Sequence, residues 1–290
     1  MAAQPHGYAG LDYLAKATDF LITYRLEDPH GGLWDAADIQ WWWREDDFRI
    51  PAHQLFFETP DGAPRAMLLL SPTNGTFDYE LMPGEEHNDL GQQVFHTGMT
   101  WLEEQRSPTS RQYFFLKADH HALRRRAEAH GYRPMPDALV QTRQTLPSIL
   151  ERAPLPDGYA VRPIQHDDII DGRQPVLTTP HGGIERLGHT SLYDPRHHLV
   201  VTDEDDHSVA ECIYWTEPTT RIGLIEPVAT HPAHRRRGLA RAMLTRALQD
   251  MTRQGTTIAK VSHASSNQPA AALYHSLGFH PHSELLRYTR

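Results

Sequence analysis

The stretch ATHPAHRRRGLARAML, residues 229–244, runs from the end of a strand-like segment into a helix. From Leu239 onward, apolar residues recur at three- and four-residue steps, which is the period of an amphipathic helix. Three like charges, Arg235–Arg237, stand immediately before Gly238 at the start of that helix. Because adjacent arginines repel one another, their position predicts either an anionic partner at the helix start or a basic helix start that is simply solvated by water.

A helix N-terminus suits an anion because its first backbone N–H groups have no partner within the helix and the positive end of the dipole lies there. Gly238 allows a tight turn, and the small side chain of Ala240 leaves the next amide accessible. The pattern Arg235-x-x-Gly238-x-Ala240, between a strand and a helix, therefore predicts a phosphate-binding loop. Each charged hydrogen bond from a nearby arginine contributes roughly 1.5–3 kcal/mol.

The composition predicts a globular protein. The chain has 290 residues, of which 39% are hydrophobic and 9% aromatic, enough for two domains with cores of their own. Its single cysteine, Cys212, excludes an internal disulfide and fits a reducing cytoplasm, where we expect a small buried side chain at this position. The histidine pairs at 120–121 and 197–198 do not chelate well, because neighbouring side chains diverge, so no metal site is predicted.

Neither a membrane nor a nucleic acid is an expected partner. The apolar run at 66–70 is far shorter than the about 20 residues of a membrane span, and residues 1–10 lack the pattern of a signal peptide. Residues 1–150 hold 13 basic and 21 acidic residues and residues 151–290 hold 15 and 16, so the halves carry −8 and −1 of the net −9. Nucleic-acid binding needs a broad basic surface. We therefore expect a soluble, cytoplasmic protein.

A domain boundary is indicated by LPSILERAPLPDGY, residues 146–159, where three prolines and a Pro-Asp-Gly turn interrupt any helix or strand period. We predict domains at 1–146 and 159–290, joined by a linker at 147–158. The second domain reads as an antiparallel meander of strands followed by helix, strand, helix and strand. RQYFFLKADHHALRRRAEAHGYRP, residues 111–134, ends like TTIAKVSHASSNQPAAALYHSLGFHP, residues 256–281, which suggests that the two domains are structurally related.

Two segments together carry a family resemblance. LIEPVATHPAHRRRGLARAML, residues 224–244, and NQPAAALYHSLGF, residues 267–279, resemble the GNAT superfamily of acetyl-CoA-dependent N-acyltransferases. The resemblance implies an α/β (α+β) fold of two GNAT-like domains, each with a mixed, mainly antiparallel central sheet flanked by helices. It implies acetyl-CoA as the cofactor of the second domain and a degenerate copy in the first.

The resemblance also assigns roles to residues. The preceding strand would run beside the pantetheine arm at Val228 and Thr230, and Asn267 would approach the cofactor. Tyr274 matches the tyrosine that serves as general acid toward the departing thiolate. The pyrophosphate of coenzyme A would be bound by the loop of Arg235, Arg236, Arg237, Gly238, Leu239, Ala240 and Arg241.

The base of the reaction is read from the residue types near that strand. Glu226 could take the amine proton directly or through water, although it precedes a proline and is equally consistent with a structural partner for an arginine. Glu217 and His231 are alternatives. Tyr274 is also consistent with a core aromatic, and Asn267 with a helix cap.

The first half lacks the corresponding features. Gly84 is followed by Glu85 and Glu86, which would repel a diphosphate. Ala127 stands four residues before Gly131, at the offset by which Tyr274 precedes its glycine. We therefore predict that the N-terminal domain binds no coenzyme A and transfers no acyl group, and that its acidity favours a cationic acceptor.

The expected activity is transfer of an acetyl group from acetyl-CoA to a primary amine of a small molecule, by direct attack without a covalent enzyme intermediate. Two alternatives remain open at this point. One is a non-catalytic acyl-CoA sensor or partner-binding protein, and the other is an acyltransferase that acts on protein lysine or carries a longer acyl group.

Overall fold

The structure is a computed structural model that describes residues 4–43, 50–105, 112–146, 153–165 and 184–290. The chain divides into two compact units. Unit 1 comprises Met1–Val140, Ala264–Ser266 and Ser283–Arg290, and unit 2 comprises Gln141–His263 and Asn267–His282. The predicted linker at 147–158 divides the chain into two continuous domains. The compact units are discontinuous instead: the last eight residues belong to unit 1, and unit 2 starts at Gln141.

Unit 1 is an antiparallel sheet with one parallel pair, flanked by helices. Its elements are β1 (Gln4–Gly7), α1 (Gly10–Glu27), α2 (Ala36–Trp42), β2 (Gln54–Glu58), β3 (Pro64–Ser71), β4 (Thr76–Leu81), α3 (Asp89–Glu104), β5 (Tyr113–Lys117), α4 (His121–Ala129), the first part of β6 (Arg133–Thr145) and most of the last strand, β12 (His280–Thr289). The strands β1 to β4 pair in sequence order, β4 runs parallel to β5, and β12 lies antiparallel on the other side of β5.

The core of unit 1 is aromatic. Phe77, Phe95 and Phe114 are fully buried between the sheet and the helices α3 and α4. Tyr288 of β12 stacks on Phe114 with the ring planes 5° apart and the centroids 5.9 Å apart. Burial of such rings contributes about 1.5–3 kcal/mol each, so the last strand of the chain is an integral part of this unit.

Unit 2 repeats the plan. Its elements are the end of β6, β7 (Ala160–Pro163), a short helix α5 (Ile184–Leu187), β8 (His198–Thr202), β9 (Ser208–Glu217), β10 (Ile222–Thr230), α6 (Leu239–Arg253), β11 (Ile258–Ala264) and α7 (Gln268–Ser276). β7, β8, β9 and β10 pair in sequence order as an antiparallel meander, as predicted, and β11 then runs parallel to β10. The Thr142 hydroxyl donates to the Val261 carbonyl at 2.7 Å and ties the end of β6 to β11. This mixed, mainly antiparallel sheet with flanking helices confirms the predicted fold class.

The helix of the opening stretch forms as its period predicts. α6 buries one stripe against the sheet, made of Leu239, Met243, Leu244, Ala247, Leu248 and Met251. It begins at Leu239, because Arg236 and Gly238 both adopt positive φ angles that a right-handed helix excludes. Cys212 is fully buried in the same core, as expected for a small apolar side chain.

The two units end their last helices in the same way. In unit 1 the N–H of Tyr132 donates to the carbonyl of Ala127 at 3.1 Å, across Gly131 with φ of 87°. In unit 2 the N–H of Phe279 donates to the carbonyl of Tyr274 at 3.0 Å, across a glycine with φ of 92°. Both are helix ends that a left-handed glycine closes, so the sequence similarity between these segments reflects a shared local structure.

No helix in the described part of the chain is long and apolar enough to span a membrane. Within the same ranges, no three histidine, cysteine or acidic side chains are grouped so as to hold a metal ion.

Candidate functional site

Left-handed backbone conformations recur in the loop before α6. Arg236 has φ of 64° and Gly238 has φ of 81°, while Arg237 between them has a negative φ. Alternation of this kind turns successive N–H groups toward one side and forms a concave nest for an anion. Gly238 offers no side-chain cap, and within the described chain no acceptor is recorded for the N–H groups of residues 238–241.

Four arginines surround this loop, and all are exposed. Arg235 donates from Nε to the Thr230 carbonyl at 3.1 Å, Arg237 donates to the Tyr159 hydroxyl at 2.8 Å, and Arg241 donates to the Ser276 hydroxyl at 2.7 Å.

Among the described residues, none of the four arginines forms an ion pair with a carboxylate, and Arg236 has no recorded partner. Their positive charge therefore adds to that of the helix N-terminus without local compensation.

The strand before the loop separates from its neighbour. Recorded pairing of β10 with β11 covers only Ile222–Leu224, opposite Ile258–Lys260. Beyond that point β10 carries an extra residue relative to β9, since the register shifts between Ile225 and Val228. A bulge bends its strand, and residues 226–230 are all half-buried. The sheet of unit 2 thus opens between β10 and β11.

The predicted pantetheine-binding positions lie along this opening. Val228 is opposite Cys212 of β9, and Thr230 is opposite Ala210. The carbonyl of Thr230 already accepts the hydrogen bond from Arg235. The side chains of Leu239 and Ala240 differ in exposure. Leu239 is 1% exposed, so only its backbone can contribute to the loop surface, whereas Ala240 is half-buried.

Tyr274 lies on α7 against the sheet and is 6% exposed. Its ring centroid is 6.0 Å from that of His263 on β11 and 6.1 Å from that of Phe279. Burial raises the pKa of the Tyr274 phenol well above its usual range, and the nearby Cys212 and Glu226 add to the increase. The hydroxyl therefore keeps its proton at neutral pH.

Glu226 sits in the bulge, and its backbone is held in place. The indole Nε1–H of Trp215 donates to the Glu226 carbonyl at 2.7 Å. The carboxylate influences the Tyr274 phenol electrostatically, so the two predicted catalytic residues belong to one neighbourhood.

Asn267 caps α7, since its side-chain oxygen accepts from the Ala270 N–H at 3.2 Å. This is the structural role that the residue type allowed.

The alternative bases have structural roles. Glu217 accepts from the backbone N–H groups of Thr219 and Thr220 at 2.8 and 2.6 Å and so closes the turn between β9 and β10. Burial raises the Glu217 pKa, but these bonds and the Thr220 hydroxyl outweigh it and lower the pKa overall. The ring of His231 accepts from the Ala233 N–H at 3.3 Å and caps the short 3-10 turn Pro232–His234. Neither occupies the bulge.

The corresponding helix start in unit 1 is already capped. The side-chain oxygen of Asn88 accepts from the N–H groups of Leu90 and Gly91 at 2.9 and 3.3 Å. A Cβ on Gly91 would lie 2.3 Å from the carbonyl oxygen of Glu85, so the preceding turn packs directly on the helix. At this helix start, amides of the first turn are therefore hydrogen-bonded within the protein rather than available to a ligand.

Sequence reasoning missed several polar residues on the other face of the sheet of unit 2, among them Trp215, Tyr193, His198 and Glu211. The signal for Glu211 was the alternation of SVAECIYW, residues 208–215, which places a carboxylate opposite the face that carries Cys212.

Comparisons with known proteins find acetyltransferases among the similar sequences and structures. The sequence profile described as the acetyltransferase (GNAT) family matches residues 168–279. A mycothiol acetyltransferase of Kocuria rhizophila is 27% identical over 182 residues, which cover 56% of this chain and 59% of that relative. The matched segment therefore spans less than two thirds of the relative's length.

Solved structures share the fold over almost the whole chain. A GCN5-related N-acetyltransferase from Sphaerobacter thermophilus has a TM-score of 0.66 at 19% identity, with 99% of this chain and 95% of that chain covered. A tandem GNAT protein from the clavulanic acid biosynthesis pathway has a TM-score of 0.68 at 13% identity, with 99% and 98% covered. The profile match over residues 168–279 supports membership in the GNAT superfamily of acetyltransferases, and the solved structures show that the fold is shared.

Proposed function

We propose that this protein transfers an acetyl group from acetyl-CoA to a primary amine of a small molecule. The observation that carries the proposal is the loop before α6, where unpaired amides and uncompensated arginines adjoin the opening between β10 and β11. The relative named for mycothiol supports a small-molecule acceptor.

The residues present fit a coenzyme A diphosphate. A Cβ at Gly238 would have no other atom within 4 Å, so the backbone there faces open space in which a diphosphate oxygen could approach the amides. The amides of Gly238, Leu239, Ala240 and Arg241 would bind the diphosphate, with Arg235, Arg236 and Arg237 around it. Val228, Thr230 and Asn267 would line the path of the pantetheine arm.

Bound acetyl-CoA supplies the acetyl thioester. Tyr274 holds a proton that it can give to the departing sulfur, because burial keeps the phenol neutral. Glu226, in the bulge of the same strand that borders the arm, would take the proton of the attacking amine directly or through water. Such general acid and base assistance contributes about 10²–10⁴-fold each.

Unit 1 would serve as a degenerate copy that binds no coenzyme A. Asn88 already accepts the first amides of α3, where a diphosphate would otherwise bind. The acidic balance of the first half would favour a cationic acceptor.

The test is a calorimetric titration of acetyl-CoA into the wild type and two glycine variants, followed by a thiol-release assay with a panel of amines. Gly238→Glu places a carboxylate in the nest. Gly255→Glu is the matched control, because Gly255 also has a positive φ, 86°, and open space around its Cβ position, but lies at the other end of α6.

We expect tight binding by the wild type and by Gly255→Glu, and loss of binding by Gly238→Glu. Absence of binding in the wild type would overturn the proposal. Binding without thiol release from any amine would favour the sensor, and release with folded protein but not with free amines would favour a protein-lysine acceptor.

A further inference from the structure

Three polar side chains lie in a row on the face of the sheet of unit 2 opposite α6 and α7. The Tyr193 hydroxyl is 3.2 Å from His198 Nδ1, and His198 Nε2 is 3.6 Å from a carboxylate oxygen of Glu211. His198 and Glu211 are each 1% exposed, whereas Tyr193 is half-buried. Burying a histidine and a carboxylate costs free energy unless polar partners compensate them, which favours a functional role for the row.

The row borders the strand that carries Glu226. Glu211 on β9 lies opposite Ala229 on β10, three residues beyond Glu226. At the other end of the row, the ring of Tyr193 is 5.9 Å from that of Trp215, whose indole donates to the Glu226 carbonyl. Both ends of the row therefore lie next to the segment of β10 from Glu226 to Ala229 or next to a residue that contacts it.

The arrangement favours one direction for the hydrogen bond between Tyr193 and His198. A carboxylate only accepts, so the field of Glu211 favours the imidazole tautomer with its hydrogen on Nε2. Nδ1 then carries the lone pair, and it accepts the hydroxyl hydrogen of Tyr193. Burial, with the carboxylates of Asp194 and Glu211, raises the pKa of Tyr193 to about 12, which keeps the phenol neutral.

With its hydrogen directed to His198, the Tyr193 oxygen has only lone pairs left for a ligand. An oxygen of this kind recognises a donor and rejects a group that has none, because the missing bond leaves a partly buried polar atom unpaired. Tyr193 is also the most exposed member of the row, since His198 and Glu211 are closed off from solvent.

We propose that Tyr193 determines acceptor specificity, its oxygen accepting a hydrogen bond from a second donor group, a hydroxyl or an ammonium, that the acceptor carries beside its reacting nitrogen. His198 and Glu211 are positioning residues that orient the Tyr193 hydroxyl. This inference rests on the proposed transfer to an amine. It deepens that proposal by naming the class of amine, one with a neighbouring donor.

The first experiment measures binding without acetyl-CoA. The protein is labelled with ¹³C at its tyrosine rings and titrated with ethanolamine and with ethylamine, which lacks the hydroxyl. Tyr193→Phe identifies the Tyr193 signal, and Tyr214→Phe is the matched control, because Tyr214 is on the same strand as Glu211 but packs in the core of the opposite face.

We expect ethanolamine to shift the Tyr193 signal and leave the Tyr214 signal unchanged, and ethylamine to need about 10-fold higher concentration, the equivalent of one hydrogen bond. Equal binding of the two amines, or no shift at Tyr193, overturns the proposal.

The second experiment determines the tautomer from ¹⁵N spectra of histidine-labelled protein, with His198→Gln for assignment. We expect hydrogen on Nε2 in the wild type and loss of that preference in Glu211→Gln. Hydrogen on Nδ1 in the wild type contradicts the proposal that His198 and Glu211 orient the Tyr193 hydroxyl.

In turnover with ethanolamine, Tyr193→Phe should raise KM about 10-fold and leave kcat within 2-fold, a split that a purely structural defect would not give. Lack of thiol release with every amine would count against the proposed function alone, because the two spectroscopic results do not depend on acetyl-CoA.

Discussion

The indole nitrogen of Trp215 and the backbone oxygen of Glu226 are joined by a 2.7 Å hydrogen bond. Trp215 is 1% exposed and Glu226 lies in the bulge of β10, so a rigid side chain fixes the backbone that carries the proposed base. In a bulge some backbone groups lose their hydrogen bonds to the neighbouring strand. A hydrogen bond from a side chain, such as this one, replaces a lost strand-to-strand bond.

Trp215→Phe should keep most of the packing but leave the Glu226 carbonyl without its donor. We expect kcat to fall about 10-fold while the affinity for acetyl-CoA stays within 2-fold, because a base that is displaced by a fraction of an ångström still leaves the phosphate loop intact. Steady-state kinetics and calorimetry measure the two quantities. Trp101→Phe, a half-buried tryptophan in unit 1, is the control, and an unchanged kcat in Trp215→Phe would contradict the role of Glu226.

Tyr274→Phe removes the proposed acid and keeps the ring. We expect kcat to fall about 10²–10³-fold with unchanged acetyl-CoA binding. Since the pKa of the Tyr274 phenol is raised, the acid stays protonated across the assay range, and wild-type kcat should show no decrease from this group up to about pH 10. Full activity in Tyr274→Phe would mean that Tyr274 is not the general acid and serves only as an aromatic residue of the core.

Local signals in the sequence were sufficient for the helices of the site. α6 and α7 each combine apolar residues at helical spacing with a glycine or an asparagine at a helix end, and both segments form helices. α1 was not predicted, because its buried face includes Thr18 and Arg25, and the Arg25 side chain is satisfied by Asp35 and by backbone carbonyls outside the helix.

Longer-range relationships escaped the sequence analysis for a different reason. The pairing of β12 with β5 joins residues more than 160 positions apart, and no local pattern encodes such a partner. The bond from Trp215 to Glu226 depends likewise on the register of β9 against β10 and on its one-residue shift. The proposed phosphate loop could be predicted from the sequence because its residues, 235–241, are consecutive.

Arg236→Ala should weaken acetyl-CoA binding about 10-fold. Among the loop arginines it is the one without a recorded partner in the described chain, so its charge is available to a phosphate group. Alanine at φ of 64° meets the same backbone strain as arginine, and protein stability should therefore change little. The measurement is calorimetry at low and high salt, and the difference between variant and wild type should shrink as salt rises.

Arg253→Ala is the matched control for Arg236, because Arg253 lies at the C-terminal end of α6 and pairs with Asp250. Its removal should leave acetyl-CoA binding unchanged. Equal weakening by both substitutions would mean that the loop arginines act only through the overall charge.

Glu80→Gln should change how the stability of unit 1 depends on pH. Glu80 is 1% exposed and accepts the N–H groups of Leu33 and Trp34 at 2.6 and 2.9 Å. Burial raises its pKa from 4.5 to about 7, and the opposing effect of the Arg25 charge is smaller. Between these two values the folded protein binds a proton that the unfolded chain has lost, so the free energy of unfolding falls as pH rises, by up to about 3 kcal/mol.

The amide of Glu80→Gln does not titrate, so this decrease should be absent from the variant. We expect the midpoint temperature of Glu80→Gln, relative to wild type, to rise steadily between pH 5 and pH 8 when measured by calorimetry or circular dichroism. Asp12→Asn, a change at an exposed acidic residue on α1, is the control and should give a constant difference. A difference for Glu80→Gln that is equally constant with pH would mean that Arg25 and the two amides keep Glu80 ionised in the folded state, against the effect of burial.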